Sequence, residues 1–136
     1  MSDLVEPRFE ASEQAILDEI EDRLHALGWA SHATATWLMR GWQKLARSVD
    51  RYTLTVDDYT NDLTARDGLE IILAHCPEPL CAKLRLAIET ADKEFLARTQ
   101  EDLDHALERY FRIDESFGWW WRRRPTSGQL ADYLSK

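Results

Sequence analysis

The chain has 136 residues, with 25 Asp or Glu against 17 Lys or Arg and a net charge of −8 when the histidines are neutral. That length suits one domain able to bury about two thirds of its unfolded surface, and nine Ile plus Val against 33 Leu plus Ala favour helices over strands. Two cysteines exclude a disulfide-dense scaffold, and the longest stretch without a charged side chain, Leu24 to Met39, is too short and too polar to span a bilayer.

The expected fold is all-α, a single-domain bundle of five to six helices over residues 12–136, with residues 1–11 a flexible N-terminal segment. The opening residues Met1 to Pro7 carry no basic stretch followed by an apolar one, so no secretory leader is read there and the cytoplasm is the expected compartment. A first helix is predicted from Ser12 to Leu27, with Ile16, Ile20, Leu24 and Leu27 on one stripe and Gly28 as its stop. A second begins near Ser31 and gathers Leu38, Trp42, Leu45 and Val49, with Trp37 at the edge of that arc. The third has the clearest start in the chain. Thr55 and Asp58 have capping-box spacing, Leu54 and Tyr59 stand where a hydrophobic staple requires them, and the helix should run to His75 before Pro77.

Pro79 suits the first position of a fourth helix, whose Leu80, Leu84, Ala87, Ile88, Ala91 and Phe95 keep helical spacing through four turns. A fifth helix is predicted after Thr99 or Asp102, with Leu103, Leu107, Tyr110 and Phe111 turned inward. Beyond it stands the run Phe117-Gly118-Trp119-Trp120-Trp121-Arg122-Arg123-Arg124-Pro125. Thr126 and Gln129 have capping-box spacing for a short last helix through Leu134. Charge alternates along this order, from −6 over 1–28 to +3, −5, +1, −4 and finally +3 over 117–136. Neighbouring helices of opposite charge complement one another, and a segregated acidic surface for a basic partner is the competing arrangement.

No metal or cofactor is expected. Asp22 with His25 and Asp102 with His105 have the spacing of a di-metal bundle, but His25 falls about 140° from the centre of its apolar stripe, and internal ligands must point inward. His75, Cys76 and Cys81 lack a fourth ligand and the closer cysteine spacing of zinc sites, so they read as packing thiols and a helix-end histidine. Glycine-rich phosphate loops, nucleophile elbows and zinc-protease motifs are missing.

Two features break the local pattern. Arg66 and Glu70 fall inside the apolar face that Tyr59 and Leu63 define, at a spacing that permits an ion pair. Charges there form either an internally satisfied network or a groove left for another molecule. The three consecutive indoles cannot share one environment, so at least one of Trp119, Trp120 and Trp121 should be partly exposed. The adjoining arginines are expected to find counter-charges in the acidic helices. The other uses of the segment are a protein-binding hot spot, in which Trp and Arg excel, and base stacking, which a net charge of −8 opposes.

The functional expectation is a small acidic, non-enzymatic interaction protein, of the inhibitor or immunity type, that binds a basic protein such as a toxin or nuclease. Neither nucleic acid nor membrane is an expected partner. The candidate contact residues are Trp119, Trp120, Trp121, Arg66, Glu70, Tyr59, Asp58 and Asp62. The alternative is a ligand-binding or enzymatic domain that uses the Tyr59/Arg66/Glu70 face.

Overall fold

A computed structural model describes residues 7–136. Most of the expected fraying segment therefore lies outside the described residues, while residues 7–10 are non-helical chain lying against the fourth helix. The Lys83 ammonium there donates to the Arg8 carbonyl at 2.9 Å, and Phe9 packs on the core. The described chain is a mostly helical single domain with four major helices, a short fifth and a two-stranded antiparallel sheet.

Helix α1 spans Ala11–Ala26. Ile20 and Leu24 of the expected stripe are buried together with Leu17, Ile16 packs partly buried against the core, and Leu27 at the helix end is exposed. Gly28 supplies the stop with φ of +106°, and Trp29 donates its backbone N–H back to the Leu24 carbonyl at 3.3 Å. Helix α2 spans Ala35–Ser48, starting four residues later than Ser31 because Thr34 caps it by accepting from the Trp37 N–H. A second cap comes from α1: the buried Glu21 carboxylate accepts from the Ala35 N–H at 2.8 Å. Burial pushes the Glu21 carboxyl above the usual range, and that backbone bond pulls it partly back.

Helix α3 spans Val56–His75 and begins as its sequence dictates, with Thr55 and Asp58 bonded reciprocally in a capping box. Leu54, the outer half of the expected staple, is exposed. Helix α4 spans Leu80–Arg98 and buries Leu80, Leu84, Ile88, Ala91 and Phe95. Helix α2 packs on both α3 and α4, and α1 packs on α3. The approach between α2 and α3 is close at Gly68, where a Cβ would stand 2.9 Å from a methyl carbon of Leu38.

The fifth helix expected after Thr99 does not form. Strand β1, Thr99–Glu101, instead pairs antiparallel with β2, Arg123–Pro125, with Gln100 opposite Arg124. The backbone groups that a helix would have used locally are taken by a segment more than twenty residues away. Asp102 continues the break: its N–H donates to the Arg122 carbonyl, and its carboxylate accepts from the N–H groups of Ala106 and Leu107. His105 then adopts a φ of 54°, which no α-helix accommodates. Leu103 consequently points outward, Tyr110 is exposed, and only a single 3-10 turn forms at Leu107–Arg109.

Helix α5 spans Gln129–Leu134. Its N-cap is Gly128, and the Thr126 hydroxyl donates to the Arg98 carbonyl, so the expected Thr126/Gln129 capping box is absent. No helix of the described residues is long and apolar enough to cross a membrane.

Candidate functional site: an ionic clamp and an open aromatic groove

The helical spacing that placed Arg66 inside an apolar face brings it to the junction of α3, α4 and the tryptophan segment. Its Nε and Nη2 donate to Oδ1 and Oδ2 of Asp92 at 2.9 and 3.0 Å, and Nη1 donates to Glu70 at 3.0 Å. The Trp120 ring lies against the guanidinium, 4.5 Å from its central carbon. Asp92 also accepts from the Trp42 indole at 2.8 Å, so α2 joins the same network. One residue beyond Arg66, Asp67 accepts the indole N–H groups of both Trp120 and Trp121, at 2.8 and 2.9 Å on Oδ1. Burial raises the Asp67 pKa above the ordinary aspartate value, and the two indoles and Arg66 offset part of that rise.

Tyr59 is fully buried, and its hydroxyl donates to the Arg123 carbonyl at 2.7 Å, tying α3 to β2. Its ionisation is suppressed, chiefly by burial and then by the Asp102 charge. These contacts form a clamp that seats the Trp-Arg segment on the helices. Of the eight candidate contact residues, Tyr59, Arg66, Trp120 and Trp121 thus have their side chains inside the molecule. Asp58 is exposed but serves the α3 cap, and Asp62 accepts from the Tyr52 hydroxyl at 2.6 Å. Glu70 keeps just over half of its side chain accessible, 54%, beyond its bond to Arg66. Trp119 is exposed.

The arginine run finds fewer carboxylates than expected. Arg122 donates to the carbonyls of Phe117 and Asp114, and Arg123 to the Thr99 hydroxyl and carbonyl. Among the described residues Arg124 alone of the three forms salt bridges, with Asp104 at 3.2 Å and Asp102 at 3.9 Å. Arginine presents several donors in a fixed fork, and the backbone carbonyls of a non-helical segment can accept from them.

Outside the clamp lies an open groove of about 500 Å3, with Leu96, Leu103, Ile113 and Trp119 as its apolar lining and Glu101, Glu108, Arg122 and Arg123 among its charged residues. Leu96, Leu103 and Trp119 are 42%, 80% and 38% exposed. Sequence reading missed Leu96, Leu103 and Ile113, because it turned Leu103 inward on a helix that does not form. It also missed Asp67 and Asp92, which carry no mark in the local sequence beyond being acids on helices. The groove and the clamp are two faces of one segment: Trp119 points out while Trp120 and Trp121 point in.

Among the described residues no group of three or more His, Cys, Asp or Glu side chains is placed to hold a metal ion. His25 meets the Ala33 carbonyl at 3.2 Å, and His105 meets Glu108 at 3.2 Å. Fold and site together define a small helical domain with an ionic interior clamp and, beside it, an open groove at Trp119; a second open groove of about 550 Å3 lies at Leu54, Tyr110 and Tyr133. Compared with known protein families, curated proteins and solved structures, the chain has no match.

Proposed function

We propose that this chain is a non-enzymatic protein-binding module of the acidic inhibitor type, which engages a basic protein partner through the groove at Trp119. The carrying observation is the convergence of Leu96, Leu103 and Trp119 on one open groove whose lining carries Glu101, Asp102 and Glu108, beside Arg122 and Arg123 whose guanidiniums are bonded within the chain. Apolar anchors with nearby carboxylates suit a partner segment that offers an apolar side chain flanked by Lys or Arg. Trp119 is held at its base by Phe95 and Trp120, with ring centroids 6.1 and 5.6 Å away, so little ordering remains to be done on binding. A net charge of −8 speeds encounter with a basic partner and opposes nucleic acid.

The Tyr59/Arg66/Glu70 face offers less to a small ligand. Trp120 occupies the space above Arg66, and Nε, Nη1 and Nη2 of its guanidinium all donate to carboxylates of the same chain. The test is affinity capture from the organism that encodes the chain, using wild type, Leu103→Asp and Trp119→Ala side by side, with circular dichroism to verify folding. A basic protein held by wild type, released by salt and lost with both variants supports the reading. Capture of the same proteins by all three chains, or of none by wild type, overturns it.

A further inference from the structure

The turn joining α3 to α4 brings the two cysteines of the chain to one carbonyl. The Cys76 N–H donates to the Leu73 oxygen at 3.4 Å, and the Cys81 thiol donates to the same oxygen at 3.7 Å. The Cys81 N–H in turn donates to the Pro77 carbonyl at 2.8 Å, folding the intervening residues into a single turn. Both thiols are free, with Cys81 buried and Cys76 half-buried.

The surroundings of the two sulfurs differ. Arg85, one helical turn beyond Cys81 on α4, donates Nη2 to the Cys81 Sγ at 3.0 Å. Cys81 is also the second residue of a 19-residue helix, where the backbone dipole favours negative charge. Cysteine attacks as its thiolate, and an adjoining cationic donor and a helix start are surroundings in which reactive cysteines occur. Cys76 has neither. Burial pushes its thiol up to about 11, with the neighbouring Cys81 and Glu78 adding to the rise. A thiol held protonated reacts slowly with peroxide, so Cys76 is the less reactive of the two sulfurs in the first step.

We infer that Cys81 and Cys76 form an oxidation-responsive dithiol in which Cys81 reacts first with a hydroperoxide and Cys76 closes an intramolecular disulfide. In the first step the Cys81 thiolate attacks one oxygen of hydrogen peroxide. The S–O bond forms, the O–O bond breaks and hydroxide leaves, taking up the thiol's proton as water, so sulfur is oxidised to the sulfenic acid and peroxide is reduced. In the second step the Cys76 sulfur displaces that hydroxyl: the S–S bond forms, the S–O bond breaks and the Cys76 proton leaves with a second water. The product joins the C-terminus of α3 to the N-terminus of α4, and a dithiol reductant returns it to the starting state.

The experiment exposes the reduced full-length chain to hydrogen peroxide, blocks residual thiols and analyses intact mass and peptides. The expected result is a monomer lighter by two hydrogens, a peptide linking Cys76 to Cys81, and reversal by dithiothreitol. Cys76→Ser should stop at a sulfenic acid on Cys81 that a dimedone-type reagent traps. Cys81→Ser should leave Cys76 a thiol over the same period, and Arg85→Gln should slow disulfide formation several-fold. The proposal is overturned if both thiols remain open to alkylation, if disulfides form only between chains, or if Cys81→Ser reacts at Cys76 as fast as wild type. Circular dichroism of each variant before oxidation ensures that the chemistry is read on folded protein. Should Cys81→Ser fail to fold, the rate with Arg85→Gln decides: an unchanged rate overturns the proposal.

Discussion

Arg66 grips Asp92 with two parallel bonds, and both side chains are nearly closed to solvent, at 7% and 13% exposure. Such a pair costs desolvation on both sides, so its presence adds little net stability, but its disruption leaves a buried charge alone. Arg66→Met should therefore destabilise the domain by about 3–5 kcal/mol in urea unfolding. The double variant Arg66→Met with Asp92→Leu should lose less than the two single losses added together, the sign of direct coupling. A loss below about 1 kcal/mol for Arg66→Met would place the pair in the class of surface bridges and contradict its burial.

The fourth helix supplies a test of the core. Leu84 and Ile88 are each only 1% exposed. Their replacement by Ala should cost about 2–5 kcal/mol, the range for cavities that a packed interior cannot close. If both variants unfold within about 0.5 kcal/mol of wild type, α4 does not face the core.

Asp67 gives stability a pH dependence of unusual sign. Because burial raises its folded pKa, the folded chain holds that proton more tightly than the unfolded chain. The resulting contribution is complete below the ordinary aspartate range and is lost as pH rises through the folded value. Asp67→Asn should remove this loss, because an amide oxygen can accept both indole N–H groups as Oδ1 does. Thermal melts across the weakly acidic range would show it as a flatter profile for the variant; parallel profiles would refute the assignment. Asp67→Ala, which strands two indole donors, should cost about 1–3 kcal/mol for each.

The three consecutive indoles should separate in a set of melts. Trp120→Ala and Trp121→Ala remove buried rings that are hydrogen-bonded to Asp67, and each should cost about 3–5 kcal/mol. Trp119→Ala trims an exposed ring and should cost about 1 kcal/mol. Equal thermal losses for all three would mean that Trp119 is as structural as its neighbours, leaving the groove without its anchor.

Much of the helical framework was legible in the residues. The Thr55/Asp58 box, the α4 stripe, the glycine stop at Gly28 and the Arg66–Glu70 pair all depend on groups within a turn or two of each other, and local spacing is what a sequence displays. The division of the three indoles was legible too, because three adjacent side chains cannot point one way on any regular backbone.

What the sequence could not display were pairings across the chain. Asp92 and Asp67 look like any solvated helix acid until the fold carries them to Arg66 and to indoles 53 and 54 residues away. The segment after Thr99 has helical spacing and still becomes a strand. Helix propensity differs among ordinary residues by only about 0.7 kcal/mol, which the ladder to Arg123–Pro125 and the Asp102 turn together outweigh. That outcome turns Leu103 outward and creates the groove. Sequence determined the start of α3, the stop of α1 at Gly28 and the buried face of α4, since those are short-range matters. Tertiary structure alone decided which acids became interior partners and which apolar side chains remained at the surface, because both depend on what distant backbone arrives beside them.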